Sequence, residues 1–238
     1  MNDEKPRRPS QPTSQPTLPP LQQPSLPLVV TIDGPAASGK SSVARAVADA
    51  LQVPFVSSGL LYRAATLLVL EADVDPSGEA EVLALLNASK VTLQALPIEP
   101  NRVLVGGEDV SAALHTDDVD ENVSAVAKHP RVRDWVRERL RDVAGSFVIE
   151  GRDMGSVVFP GASHKFYLTA PVSVRATRRV GERAAGLADV AAALQRRDTL
   201  DAAQLEPAPD ALLVETGHLS LEGVVEHILQ TVQAHRAD

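Results

Sequence analysis

The chain has 238 residues and carries 23 Lys plus Arg against 31 Asp plus Glu, a formal charge of −8. That balance excludes a basic nucleic-acid coat. No cysteine occurs, so disulfides, thiolate zinc sites and thiol catalysis are closed, as suits a reducing compartment.

Eight of the 18 prolines fall within residues 1–27, interleaved with Ser and Gln and almost free of apolar side chains. Such a segment cannot bury a core and reads as a disordered, solvated tail. It holds no apolar h-region, and no later stretch approaches the roughly 18 to 20 uncharged residues of a membrane span. The expectation is a cytoplasmic protein with neither membrane nor nucleic-acid partner.

Leu28 to Ile32 is a short, mostly β-branched run, and after a Gly-rich turn the period changes. Val43, Ala46, Val47, Ala50 and Leu51 then recur at helical spacing, so strand, glycine turn and helix follow one another. Val53 to Val56 predicts a second strand and Leu60 to Leu70 a largely buried helix. Val91 to Leu96 and Arg102 to Val105, joined by Pro97 to Asn101, predict a β-hairpin set apart from the core. After Pro130, Val132, Val136, Leu140 and Val143 mark one apolar helix face, and most of the arginines Arg131, Arg133, Arg137, Arg139 and Arg141 are expected in solvent. Phe147 to Ile149 and Lys165 to Leu168 are further strands, the second leading into a helix with Arg175, Arg178 and Arg179. Ser220 is the expected N-cap of a last helix that buries Val224, Val225, Ile228, Leu229 and Val232. Alternating β and α elements predict an α/β class fold, a mostly parallel sheet with helices on both faces and ligands at the strands' carboxyl ends.

Gly34-Pro35-Ala36-Ala37-Ser38-Gly39-Lys40-Ser41 fulfils G-x-x-x-x-G-K-[ST] between the strand and helix that this P-loop requires. Gly34 and Gly39 let backbone N–H groups turn inward, and the helix start adds unpaired donors and a positive dipole end. Lys40 supplies a mobile charge, and the Ser41 hydroxyl suits a magnesium ion on the terminal phosphates of a nucleoside triphosphate. No asparagine is followed by lysine, so the guanine-reading Asn-Lys-x-Asp of GTP switches is absent. None of the six histidines has zincin spacing, and no zinc is expected. Arg63 and Arg152 lie just beyond predicted strands, which suggests a second phosphate beside the first. Two phosphorylated ligands end to end imply a phosphoryl transferase.

Through Ile32-Asp33-Gly34-Pro35, Ser58-Gly59 with Tyr62-Arg63, Pro130-Arg131-Val132-Arg133, Gly151-Arg152-Asp153-Met154-Gly155 with Val157-Val158-Phe159-Pro160, and Arg175-Ala176 with Arg178-Arg179, the chain resembles bacterial cytidylate kinases. The similarity runs from about Leu28 to the C-terminus. It implies a three-layer α/β/α P-loop kinase, with a monophosphate-binding insert at about 64–145 and a short lid at about 180–208. It implies ATP on Gly34, Pro35, Ala36, Ala37, Ser38, Gly39, Lys40, Ser41 and Ser42 with Arg179, and the acceptor phosphate on Arg63 and Arg152. Ser58, Ser124, Arg133 and Asp153 fall around cytosine, Asp201 on the ribose, and Lys40, Arg152 and Arg197 on the transferring phosphoryl group. A carboxylate at Asp153 accepts from the 4-amino group of cytosine, whereas uracil offers an acceptor there. Asp33 and Glu150 are expected near Mg2+ through water.

The implied activity is ATP-dependent phosphorylation of CMP and dCMP by a monomeric enzyme. The alternatives are a P-loop kinase for UMP, AMP or shikimate, or a weak nucleotide-binding module. Within the lid, Arg197-Asp198-Thr199-Leu200-Asp201 matches the family's R-D-x-x-D. Gln204 stands where the family carries another arginine, and the segment up to Asp210 is short. Arg178, Arg179, Arg183 and Arg196 are the arginines available to replace that charge.

Overall fold

A computed structural model describes residues 27–180 and 186–234. The tail up to residue 26, and Arg183 among the lid arginines, lie outside the described residues.

The first strand, β1 (Val29–Asp33), runs into the P-loop and then α1 (Lys40–Leu51). The buried face of α1 is Val43, Ala44, Val47 and Ala48, so the stripe is rotated from the expected one and leaves Ala50 exposed. The second strand, β2 (Phe55–Ser57), leads into α2 (Gly59–Glu71), which is mostly buried as its composition requires. Next comes α3 (Glu79–Ala88), a helix the apolar pattern does not announce. The expected hairpin is β3 (Val91–Gln94) against β4 (Arg102–Val105), in antiparallel register Val91↔Val105 to Gln94↔Arg102. A two-residue strand, β5 (Glu108–Asp109), completes a separate three-stranded sheet. A short 310 helix, Ser111–His115, precedes α4 (Asp117–Ala127) and α5 (Pro130–Arg141).

The chain returns to the core through β6 (Phe147–Gly151), a π-type turn at Met154–Val158, and β7 (His164–Thr169). Then follow α6 (Val172–Val180), α7 (Leu187–Leu200), β8 (Leu212–Glu215) and α8 (Leu221–Ala234). Ser220 caps α8 as expected, accepting from Gly223 N at 3.2 Å.

The main sheet has the order β2-β6-β1-β7-β8, and every pairing in it is parallel. Alternate residues of β6 enter opposite faces, as the two-residue strand period demands. Val148 joins Val30, Ile32, Val43, Val47 and Ile228 beneath α1 and α8. Phe147 and Ile149 join Leu61, Ala64, Val126, Trp135 and Leu140 beneath α2, α4 and α5. A third small cluster of Ala36, Ala176, Val190 and Leu194 packs α7 on α6 and the P-loop. Among the described residues no helix is long and apolar enough to cross a membrane.

The arginines of α5 depart from the solvated expectation. Arg131 and Arg141 are exposed, but Arg133 is buried and Arg137 and Arg139 are half-buried. Arg139 lies over the Trp135 ring at 3.6 Å, and Arg133 and Arg137 turn to a carboxylate beyond β6. Their aliphatic stems cover apolar surface while each charged head finds an acceptor or an aromatic face.

Candidate active site

Because all five strands of the main sheet point one way, Asp33, Ser57, Gly151, Thr169 and Glu215 end at the same edge. The segments that follow them carry the candidate residues. Most of them line one cleft of about 1130 Å³ that runs from the P-loop and α8 to α4 and α5. That is more than one drug-sized ligand fills, and it suits two nucleotides.

At one end is the P-loop. Gly34 has φ 151°, and a Cβ there would collide with the carbonyl oxygen of Leu168, so β7 approaches too closely for any side chain. Gly39, at φ 92°, is the N-cap of α1. Ser38 O receives Thr216 Oγ1 at 3.1 Å and Arg178 Nη1 at 3.3 Å, which ties the loop to the end of β8 and to α6. Lys40 Nζ donates to Pro35 O at 3.1 Å. Burial, opposed by Glu150 and reinforced by Arg152 and Arg197, lowers its pKa from 10.5 to about 8. Ser41 and Ser42 are exposed at the helix start and line the cleft with Ala36, Ala37, Ser38, Gly39 and Arg179. Gly34 and Pro35 are not among the lining residues; they shape the turn from behind.

In the middle stand Arg152, Arg197 and Asp201. Arg152 Nη2 pairs with Asp201 at 2.9 Å, and Arg197 Nε lies 3.7 Å from the same carboxylate. Arg152 Nη1 and Arg197 Nε are buried donors without a hydrogen-bond partner. Burial, and then Arg152, hold the Arg197 guanidinium below its ordinary range. Unsatisfied cationic donors facing one another are the arrangement an anion relieves. Arg63 also lines the cleft, and its guanidinium is held by Leu114 O at 2.9 Å and by Asp120.

At the far end Ser58, Ser124, Arg133 and Asp153 share the lining. Asp153 is 2% exposed, and its Oδ2 accepts from Arg133 at 3.1 Å and from Arg137 at 2.9 Å. Oδ1 has no hydrogen bond among the described residues. Arg133 lies over the Tyr62 ring, 5.5 Å from its centroid, and burial raises the Tyr62 hydroxyl to about 12.

Glu150 lines the cleft and takes a 2.6 Å bond from Ser57 Oγ. Asp33 is set farther back. It is outside the cleft lining, and its two oxygens accept from Met154 N at 2.9 Å and Gly155 N at 2.8 Å, which fixes the turn after β6. Burial raises its pKa to about 6. Of the arginines available to replace a lid charge, Arg178 is held by Ser38 and Thr216, and Arg196 is exposed outside the cleft lining. Three residues at the site carry no sequence signal. Arg137 reads as one more surface arginine. Thr216 reads as a loop residue, and so does Asn101, which bridges Phe55 O and Ser57 N and so holds the three-stranded sheet to the core.

The cytidylate kinase family profile matches residues 30–234. A cytidylate kinase from Thermus thermophilus is 57% identical over 205 residues, 86% of this chain and 98% of that one. The chain belongs to the cytidylate kinase family. A cytidylate kinase from Deinococcus radiodurans is 54% identical, over 85% of this chain and 98% of its own length. A cytidylate kinase from Bacillus licheniformis is 40% identical over 86% and 96%. These matches span the P-loop, β6 and its following turn, and α7, so the described cleft lies wholly inside the cytidylate kinase match.

Proposed function

We propose that the chain transfers the γ-phosphoryl group of ATP to CMP, and to dCMP, giving ADP and the nucleoside diphosphate. The observation that carries this reading is the cleft itself, with a P-loop lysine, unsatisfied arginine donors and a carboxylate with one open oxygen set in sequence along it.

In this reading a phosphate oxygen of CMP attacks the γ-phosphorus, and the bond to the β–γ bridging oxygen breaks as ADP leaves. The acceptor oxygen is already anionic, so no covalent enzyme intermediate and no general base are required. Catalysis consists of in-line positioning, neutralisation by Lys40, Arg152 and Arg197, and exclusion of water. Arg63 and Arg152 hold the acceptor phosphate, Asp201 the ribose, and Ser58, Ser124, Arg133 and Asp153 the base. The ATP phosphates rest on the loop from Gly34 to Ser42, with Arg179 beside them. The segment at about 64–145 serves as the acceptor-binding insert and that at about 180–208 as the lid. Mg2+ fits this donor set, since the exposed Ser41 hydroxyl and the Glu150 carboxylate are hard oxygen ligands in one cleft. When bound it would neutralise charge on the phosphates. In this reading the enzyme works in the cytoplasm as a monomer.

Release of ADP, coupled to a chromogenic readout and measured across CMP, dCMP, UMP, AMP and shikimate, tests the assignment. CMP and dCMP are expected to be turned over far faster than the rest. A non-cytosine acceptor turned over fastest, or no turnover with any, would overturn it.

A further inference from the structure

Asp153 is asked to present an oxygen to the cytosine amine, yet its closest ion-pair partner on the cleft lining, Arg133, is itself asked to donate to the base. Arg133 already gives Nη2 to Asp153 and Nη1 to Ala127 O at 3.3 Å, so a turn toward a ligand loosens its hold on the carboxylate. The structure supplies a second holder. Arg137 lies one helical turn after Arg133 on α5, so both side chains leave the same face. Its Nη2 reaches Asp153 Oδ2 at 2.9 Å, and its Nη1 reaches Asp134 at 2.9 Å. The fork is thus clamped at both tips. Arg137 is not among the cleft-lining residues, whereas Arg133 and Asp153 are.

Two cations four residues apart on a helix repel, and the carboxylate between them turns that repulsion into a shared attachment. Both bonds end on Oδ2, and Oδ1 is left without one among the described residues. With Oδ2 fixed from the helix side, Oδ1 is the oxygen open to a donor from the cleft. A carboxylate free to rotate would present either oxygen, or turn both to arginine.

We infer that Arg137 is a positioning residue for base selection: by pinning Oδ2 of Asp153 from outside the cleft, it keeps Oδ1 aimed at the exocyclic amine and frees Arg133 for the ring. This rests on the proposed role of Asp153, and it adds a residue that makes no contact with substrate. Replacing Arg137 therefore alters recognition rather than chemistry.

The test measures kcat and KM for CMP and UMP in Arg137→Leu, Arg137→Lys and Asp153→Asn, with thermal melting to establish folding. Arg137→Leu is expected to raise the CMP KM roughly tenfold, hold kcat within about twofold, and lower the CMP-over-UMP preference by a similar tenfold factor. Arg137→Lys keeps one charged donor and is expected to recover most of the preference. Should the leucine variant not fold, Arg137→Gln carries the same expectation in weaker form. An unchanged preference in folded Arg137→Leu or Arg137→Gln, with a changed one in Asp153→Asn, overturns this inference. An unchanged preference in both overturns the role given to Asp153 itself.

Discussion

Lys40 is held in a state that a folded protein alone does not favour. Its pKa falls from 10.5 in the open chain to about 8 in the fold, so the unfolded chain binds the extra proton across that window. Stability of the unliganded protein therefore rises with pH between about 8 and 10.5, and the charging penalty is felt in full below 8. Lys40→Met removes that penalty and keeps a flexible stem of similar length. It is expected to stabilise the free protein at pH 7 by about 1–3 kcal/mol, an advantage that shrinks toward pH 10, while turnover drops by orders of magnitude. Denaturant melts at the two pH values, beside an ADP-release assay, check this; a variant less stable at pH 7, or one that still turns over, contradicts it. Lys40 was placed by a motif of known geometry, Arg152 by its position just past a strand, and Asp153 through the family resemblance; all three line the cleft. Arg137 was not, because an arginine on a polar helix face is by default a solvated charge, and only the path of the turn after β6 brings Asp153 within its reach.

Legibility changes at the level of elements. The strand, P-loop and helix from Val29 to Leu51 announce themselves by a change of period, and the hairpin by two β-branched runs around Pro97. α4 opens with Asp117, Asp118 and Asp120, an acidic start that masks the buried Val119, Val123 and Val126. α7 buries only Val190 and Leu194, too narrow a stripe to stand out, and β8 leaves Leu212 and Leu213 exposed. These elements owe their places to tertiary contacts. For α7 the decisive contact is Arg175 of α6, which donates to Ala36 O of the P-loop at 3.0 Å and binds Asp198 of α7 at 2.6 Å and 3.2 Å. This one side chain couples the phosphate loop to the helix carrying Arg197. A double-mutant cycle on Arg175→Ala and Asp198→Ala is expected to show a coupling of about 1–3 kcal/mol in stability. Each single variant is also expected to lower kcat roughly tenfold or more by loosening the helix that carries Arg197, the proposed ligand of the transferring phosphoryl group. Additive effects in stability and kcat would show that the contact couples nothing.

For the molecule as a whole, the charge balance and the cleft pull in opposite directions. The chain carries −8 overall, which repels a nucleotide at long range, while the proposed site gathers Lys40, Arg63, Arg152 and Arg197 to draw it in at close range. Distance decides between them. At physiological ionic strength the screening length is about 8 Å, so acidic groups spread over the surface are largely hidden from a ligand at the cleft mouth. The arginines act within a few ångströms and are partly shielded from the solvent ions. Two of them already hold carboxylates, Arg63 with Asp120 and Arg152 with Asp201, so an incoming phosphate exchanges one anion for another of higher charge. That exchange is favoured by charge, and salt weakens it. Raising KCl from about 0.05 M to about 0.5 M is therefore expected to lower kcat/KM for CMP several-fold. The dependence is expected to be flatter in Arg63→Met, which has one fewer cation to screen. Steady-state kinetics over the salt series decides the matter: a kcat/KM that climbs with salt would mean that the negative surface, and not the cationic cleft, governs capture of the acceptor.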